Sequence, residues 1–285
     1  MIPKATAQLF WVGVHEGADA AGKEFNVEIL WNGAPTETDY SRQIQIIDSM
    51  VAQNVDGIAV AASERKAPVA SVERAIAQGI PVTVFDSGLD IDDYTSYVAT
   101  NNLEAGRMAA RTLAELLGGK GTVGLVMHAP GSASTMDRER GFKEVIGSDF
   151  PKIKIVAEQF GMSDSAKSRA AAENILTAWP DINGLFASSE PSSLGAALAI
   201  ESRNLADKVT LVAFDSSDAM VEDLREGSID AMVVQDPRRM GYEAVHTLVQ
   251  KLRGETPPKR VDLNAVVVHK DDLGKPDIKR LLSIK

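Results

Sequence analysis

Two short apolar runs each end in an aspartate, and these two carboxylates are the best-placed candidates for ligand chemistry. The first run is Val82–Phe85, followed by Asp86; the second is Leu211–Phe214, followed by Asp215. β-Branched and aromatic runs of this length predict strands buried on both faces of a parallel sheet. Because open α/β sheets bind ligands at the carboxyl ends of their strands, we expect both carboxylates to accept hydrogen bonds from ligand hydroxyls or an amine. The alternative is that each aspartate caps the following helix.

Further polar candidates lie in the second half of the chain. Arg138 stands at the start of a predicted helix, where its guanidinium presents a planar fork of donors; the alternative is a solvated ion pair. Ser189 and Glu190 end a strand and begin a helix, so they are candidates either for ligand contact or for helix capping. Gln235 ends another predicted strand, and its amide can both donate to and accept from a ligand.

Two adjacent aromatic residues, Phe10 and Trp11, open the first predicted helix of a chain in which only 5% of residues are aromatic. Flat apolar rings stack on the C–H faces of sugar rings. Neighbouring side chains on a helix point about 100° apart, so the two rings cannot both pack into the same core. We therefore expect at least one of them to line a binding site.

Composition and motifs exclude several classes of function. The formal net charge of −10 argues against a nucleic-acid-binding face and against docking on an anionic membrane. The chain has no cysteine and four scattered histidines, so we predict no disulfide, no metal site and no cofactor. A G-x-G-x-x-G match at 119–124 follows a predicted helix and precedes a strand, which is the reverse of the nucleotide-binding order.

Strand and helix alternate along the whole chain, which predicts an α/β protein with two doubly wound parallel-sheet lobes. Asp86 and Asp215 would face each other across the cleft between these lobes. The predicted strands are 26–31, 57–61, 82–86, 97–99, 122–127, 153–159, 184–187, 211–215 and 231–235. The predicted helices are 9–24, 38–53, 66–78, 102–117, 135–147, 164–178, 191–203, 217–226 and 237–252.

Several of these residues together carry a family resemblance. The chain resembles the periplasmic sugar-binding proteins of ABC transporters in the ribose-binding, type I class, which share a fold with the core of LacI-type repressors. The residues that carry the resemblance are Ile2-Pro3-Lys4 before Phe10-Trp11, Gly79 through Asp86, Arg138 with Gly141-Phe142, Ala187 through Glu190, Phe214-Asp215 and Gln235-Asp236-Pro237.

The resemblance assigns a role to most of the candidate residues. It implies that Phe10 and Trp11 stack on the sugar and that Gln8 and Ser189 stand at positions of polar ligand contact. The residues implied to bind the sugar hydroxyls are Asp86, Arg138, Asp215 and Gln235.

The resemblance also implies three hinge crossings, near Asn101, Gln235 and Val261. One lobe would comprise 1–101 and 236–260, and the other 102–235 and 261–285. The expected ligand is a small carbohydrate or polyol that stabilises a closed state, and the expected partner is an ABC transporter permease. We expect a periplasmic monomer, although the first residues of the chain are not a signal peptide.

Two other functions stay open at this point. The chain could be the ligand-sensing core of a LacI-type regulator, but that function predicts a helix-turn-helix and a basic face. It could be a glycosidase that uses Asp86 with Asp215 or Glu190. A carboxylate pair split between mobile lobes is poorly preorganised for glycoside hydrolysis.

Overall fold

The computed structural model describes residues 1–284 and divides the chain into two compact units. Unit one contains residues 1–100, 131–134 and 236–263, and unit two contains 101–130, 135–235 and 264 onward. The chain therefore passes from one unit to the other after residues 100, 235 and 263, and residues 131–134 are assigned to unit one. The exact lobe boundaries and hinge crossings given by the resemblance stay a prediction.

The described part of the chain alternates strands with helices, as the sequence predicts. The helices are α1 (Leu9–Phe25), α2 (Tyr40–Ala52), α3 (Val69–Ala77), α4 (Asn102–Leu116), α5 (Ala133–Asp149), α6 (Ser165–Ala178), α7 (Glu190–Ser202), α8 (Asp218–Glu226), α9 (Pro237–Leu252) and α10 (Pro276–Leu281). The strands are β1 (Ile58–Val60), β2 (Val82–Phe85), β3 (Ser96–Thr100), β4 (Gly121–Met127), β5 (Ile153–Phe160), β6 (Gly184–Ala187), β7 (Thr210–Phe214), β8 (Ala231–Val234), β9 (Arg260–Leu263) and β10 (Val266–Val268).

Unit one is built on a parallel sheet of order β1-β2-β3-β9. Every residue of β1 and β2 is buried, which is the burial expected of parallel strands covered on both faces. Ile2 extends this sheet beyond β1 through a single parallel bridge to Val60.

The strand predicted at 26–31 is wrong. Residues 25–31 alternate between partly buried and exposed positions, as an extended chain does, but they form no ladder. Hydrogen bonds join this part of the chain to its first residue: the Met1 amino group donates to the Leu30 carbonyl, and the Asn32 N–H donates to the Met1 carbonyl. An alternating pattern predicts the extended conformation, whereas a ladder also needs a neighbouring strand.

Unit two is built on a sheet of order β10-β8-β7-β6-β4-β5, parallel except for the antiparallel edge strand β10. Its core lies on both faces of the sheet, and the rings of Phe142 and Phe186 stack at 4.5 Å on one of them. The predicted fold class, with doubly wound α/β sheets, is confirmed. None of the helices within residues 1–284 has the length and apolarity to cross a bilayer.

In unit one, α1 and α9 cross at two glycines that allow backbone contact. A Cβ atom on Gly17 would lie 1.8 Å from the carbonyl oxygen of Arg238, and one on Gly241 would lie 1.9 Å from that of Val14. No side chain fits at either position without separating the helices.

Unit two repeats this arrangement between α4 and α5. A Cβ atom on Gly106 would lie 1.9 Å from the carbonyl oxygen of Arg138, and one on Gly141 would lie 2.1 Å from that of Leu103. The two units thus share the same glycine-mediated helix crossing, and in unit two this crossing sets the position of Arg138.

Candidate functional site

Asp215 is the centre of a polar cluster at the carboxyl end of β7. This residue is only 6% exposed. The Gln235 amide donates to its Oδ1 at 2.7 Å, and the backbone N–H of Glu190 donates to its Oδ2 at 2.9 Å. Glu190, Asp215 and Gln235 lie together because they follow the ends of β6, β7 and β8, which are adjacent parallel strands.

Arg138 joins the same cluster from the first part of α5. The residue is only 2% exposed, so the alternative of a solvated ion pair at a helix start is wrong. Nη1 lies 3.9 Å from Asp215 Oδ2 and donates to the carbonyl of Ser188 at 3.0 Å. Nε donates to Asn102 Oδ1 at 2.7 Å, and the guanidinium stacks 3.8 Å from the centre of the Phe214 ring. These contacts hold the planar fork in one orientation.

Ser189 and Glu190 lie at the junction of β6 and α7. The Ser189 hydroxyl bonds to His128 Nδ1 at 2.9 Å and donates to Ser192 Oγ at 3.0 Å, and it makes no helix-capping bond. Glu190 is buried and presents its backbone N–H to Asp215. The structure thus brings four predicted site residues of unit two within 4 Å of a common carboxylate or makes them part of it: Arg138, Glu190, Asp215 and Gln235. Ser189 precedes Glu190 in the chain.

A buried carboxylate, that of Glu139, accepts hydrogen bonds from residues at this junction. Glu139 accepts from the Ser188 hydroxyl at 2.8 Å and from the backbone N–H of His128 at 3.1 Å. Burial raises the pKa of Glu139, and these hydrogen bonds oppose the rise. The carboxylate ties α5 to the ends of β4 and β6.

In unit one, Asp86 follows β2 in the place that Asp215 has after β7. Asp86 Oδ2 lies 3.0 Å from Lys4 Nζ, and both side chains are buried. Lys4 also donates to the hydroxyls of Ser132 and Ser134 at 3.2 and 3.0 Å. Asp86 therefore sits in a charged, hydrogen-bonded environment rather than in an apolar one.

Both aspartates adopt the left-handed backbone conformation, with φ of 56° at Asp86 and 70° at Asp215. Few non-glycine residues do so, although Asp and Asn tolerate the conformation better than most. The helix-cap alternative is wrong for Asp215, because Ser217 caps α8 by accepting from the N–H of Met220.

The aromatic pair at the start of α1 divides between the core and the surface. Trp11 is 2% exposed, meets Phe85 edge-on at 6.3 Å and donates from Nε1 to Glu37 at 2.9 Å. Phe10 is partly exposed and its ring meets that of Trp11 edge-on at 4.9 Å. Gln8 is the residue before the helix. Their role in ligand contact stays a prediction.

Buried polar residues of these clusters that reasoning from sequence alone misses include Lys4, Asn102, His128 and Glu139. Lys4 was visible in the Ile2-Pro3-Lys4 segment, but a lysine close to the start of a chain usually lies in solvent. The sequence indicates Asn102 only as the start of a helix. In the structure the preceding residue, Asn101, provides the cap of α4, and Asn102 instead accepts from Arg138.

Comparison with known proteins gives the family. Residues 1–256 match the periplasmic binding protein domain. The chain belongs to this family of periplasmic binding proteins. The predicted resemblance is confirmed.

Relatives of this periplasmic binding protein include a D-ribose/D-allose-binding protein of Pseudomonas aeruginosa, which is 28% identical over 92% of this chain and 84% of its own length. A carbohydrate transporter solute-binding protein from Agrobacterium radiobacter, solved with D-arabinose, is 34% identical with a TM-score of 0.96. That match covers 99% of this chain and 97% of the other. An ABC transporter solute-binding protein from Agrobacterium vitis with bound D-fucose is 32% identical with a TM-score of 0.95, covering 99% and 98% of the two chains.

Proposed function

We propose that this periplasmic binding protein is the solute-binding component of an ABC importer and that its ligand is a small carbohydrate or polyol. Family membership over residues 1–256 supports the class of function. A relative named for ribose and allose, and solved structures of similar proteins with bound D-arabinose and D-fucose, support the class of ligand.

The observation that carries the proposal is the network of Arg138, Asp215 and Gln235. It places a cation, a carboxylate and an amide at the carboxyl ends of adjacent strands, each held by hydrogen bonds to protein. Sugar hydroxyls both donate and accept, so they match a site that offers fixed donors beside fixed acceptors. Hydrogen bonds to ionised partners are about twice as strong as neutral ones.

The assignment of ligand contacts to individual residues is part of the proposal. In unit two we assign Arg138, Ser189, Glu190, Asp215 and Gln235 to the sugar hydroxyls. In unit one we assign Gln8, Phe10, Trp11 and Asp86, with the aromatic rings against the C–H face of the sugar.

The protein acts without turnover, as a periplasmic monomer that delivers its ligand to a membrane permease. The names of its relatives support transport rather than catalysis. Ligand binding favours one conformation over another only by as much as the ligand contacts differ between them.

A thermal-shift screen of pentoses, hexoses, deoxysugars and polyols tests the proposal. A specific ligand raises the melting temperature with concentration by mass action. Calorimetry with the best sugar then compares the parent chain with Asp215→Asn. Because hydrogen bonds to charged groups contribute about 1.5–3 kcal/mol, we expect affinity to fall roughly 10- to 100-fold.

Asp181→Asn is the matched control, because Asp181 is exposed on unit two and the same change there removes the same charge. It should leave affinity unchanged. A screen in which no sugar or polyol shifts the melting temperature would contradict the function. Equal affinity of Asp215→Asn and the parent chain would contradict the site.

A further inference from the structure

Two consecutive serines after β6 are both linked to His128, the residue that follows β4. The Ser188 hydroxyl donates to Glu139 Oε1 at 2.8 Å, and the same oxygen accepts from the backbone N–H of His128 at 3.1 Å. The Ser189 hydroxyl lies 2.9 Å from Nδ1 of the His128 ring. All four residues are buried, so these bonds are shielded from bulk water. His128 is therefore linked to Ser188 through Glu139 and to Ser189 directly.

The backbones that carry the His128 ring and the Ser189 hydroxyl are also held. The N–H of His128 donates to Glu139, and its carbonyl accepts from the N–H of Ser163 at 3.2 Å. The carbonyl of Ser189 accepts from the N–H of Ser193 at 2.8 Å, at the start of α7. Side chains whose surroundings are fixed in this way can hold a neighbouring group in one orientation before a ligand arrives.

The direction of the bond between His128 and Ser189 follows from the number of hydrogens available. A serine hydroxyl has one hydrogen to donate and two lone pairs that can accept. The Ser189 hydroxyl donates its hydrogen to Ser192 Oγ at 3.0 Å. It can therefore only accept from His128, which requires a hydrogen on Nδ1 of the ring. In a neutral imidazole the other nitrogen, Nε2, is then the acceptor.

The same count determines what Ser189 can offer to a ligand. Its hydrogen is directed to Ser192, and His128 occupies one lone pair, so one lone pair remains on the oxygen. A ligand group that contacts this oxygen must donate a hydrogen, as a hydroxyl or an amine does. A site built to bond a particular hydroxyl discriminates strongly against analogues that lack it.

We propose that His128 is a positioning residue of the sugar site: its Nδ1–H holds the Ser189 hydroxyl so that this hydroxyl accepts a hydrogen bond from the ligand and does not donate one. The inference rests on the proposed function, because Ser189 is one of the residues assigned to the sugar. His128 acts through Ser189 and needs no contact of its own with the ligand. The pair selects for a sugar that carries a hydroxyl at this position.

The protonated nitrogen of His128 can be identified without a ligand. In the full chain labelled with ¹⁵N in histidine, at about pH 8 where an ordinary imidazole is neutral, we expect the proton on Nδ1, seen as a pyrrole-type ¹⁵N resonance. The His128→Asn variant assigns the signal by removing it. A pyridine-type Nδ1 would overturn the proposal, because Ser189 would then donate to His128 rather than to Ser192.

Titration calorimetry with D-ribose, D-allose, D-arabinose and D-fucose tests the effect on binding. His128→Asn and His128→Leu are a matched pair, because the two side chains branch at the same carbon and only the asparagine has an N–H near the place of Nδ1. With the best of the four sugars, we expect His128→Leu to bind about 3- to 10-fold more weakly than His128→Asn. In a Ser189→Ala background the two variants should agree within about twofold, because the hydroxyl they orient is gone.

Equal affinity of His128→Asn and His128→Leu in the presence of Ser189 would overturn the proposal. An equally large difference between them in the Ser189→Ala background would also overturn it, because His128 would then act by a route other than Ser189. Failure of all four sugars to bind the parent chain would instead contradict the proposed function, and the ¹⁵N measurement would still decide the orientation of the Ser189 hydroxyl.

Discussion

Replacing Gly106 by alanine should damage the candidate site through the backbone that carries Arg138. The added Cβ would lie 1.9 Å from the Arg138 carbonyl oxygen, whereas ordinary van der Waals contact begins near 3.4 Å. Helices α4 and α5 must therefore separate by about 1.5 Å. The Nε–Asn102 and Nη1–Ser188 bonds of Arg138, now 2.7 and 3.0 Å, cannot both survive that separation.

The expected magnitudes follow from this displacement. Overpacking a close contact costs about 1–3 kcal/mol of unfolding free energy, which lowers the melting temperature of a chain this large by roughly 2–4 °C per kcal/mol. Loss of the charged hydrogen bonds should weaken sugar binding roughly 10- to 100-fold. Scanning calorimetry measures the first effect, and titration calorimetry measures the second with the sugar identified in the screen.

Two controls separate the site effect from the stability effect. Gly147→Ala is a matched change in α5, where a Cβ meets no atom within 4 Å. It should leave binding unchanged and stabilise by about 0.5–1 kcal/mol, because alanine is the better helix former. Ile175→Ala removes a fully buried side chain of unit two that lines no candidate site, and should destabilise by about 2–5 kcal/mol without altering affinity. If Gly106→Ala binds sugar as tightly as Gly147→Ala does, the glycine crossing does not position Arg138.

Two further changes test the electrostatics of the two units. Lys4→Met should lower the unfolding free energy by about 3–5 kcal/mol in urea titrations, because it leaves the buried Asp86 carboxylate without its cation. The control Lys66→Met, on the surface, should change the unfolding free energy little. Equal urea midpoints for the two variants would contradict the pairing of Lys4 with Asp86. The pKa of Asp223 is raised from 3.8 to about 7, first by burial and then by Glu201, so the native state binds the proton more tightly and stability falls as pH rises from about 4 to 7. Asp223→Asn should therefore raise the melting temperature at pH 8 and change it little at pH 4. An equal rise in melting temperature at both pH values would show that the Asp223 carboxyl does not titrate in this range.

The fold follows from the sequence because its signals are local and repeated. Apolar runs such as Val82–Phe85 predict buried strands, and glycine or proline beside several helices marks where the helix ends or begins. The segment 26–31 is the exception, because its sequence pattern predicts a strand that the structure does not contain. Its alternation predicts an extended chain, but the ladder depends on a partner elsewhere in the chain, which a local pattern does not contain.

Within the candidate site, the sequence best predicts the residues that follow the ends of strands. Asp215 and Gln235 meet because parallel strands end at the same edge of a sheet, and the sequence shows both ends. Lys4 and His128 were missed because their partners are distant in the chain: Lys4 pairs with Asp86, and His128 bonds to Ser189. A buried lysine or histidine has no local pattern that distinguishes it from an exposed one.

The positive φ angles of Asp86 and Asp215 restrict how this protein can be adapted to other ligands. Asparagine and glycine tolerate the left-handed conformation, so an engineer can remove either charge while leaving the main chain relaxed. Valine, isoleucine or threonine at either position would force a strained or rearranged turn after its strand. Libraries for new specificities should therefore hold these two positions to Asp, Asn and Gly, and place larger diversity at residues with ordinary backbone angles.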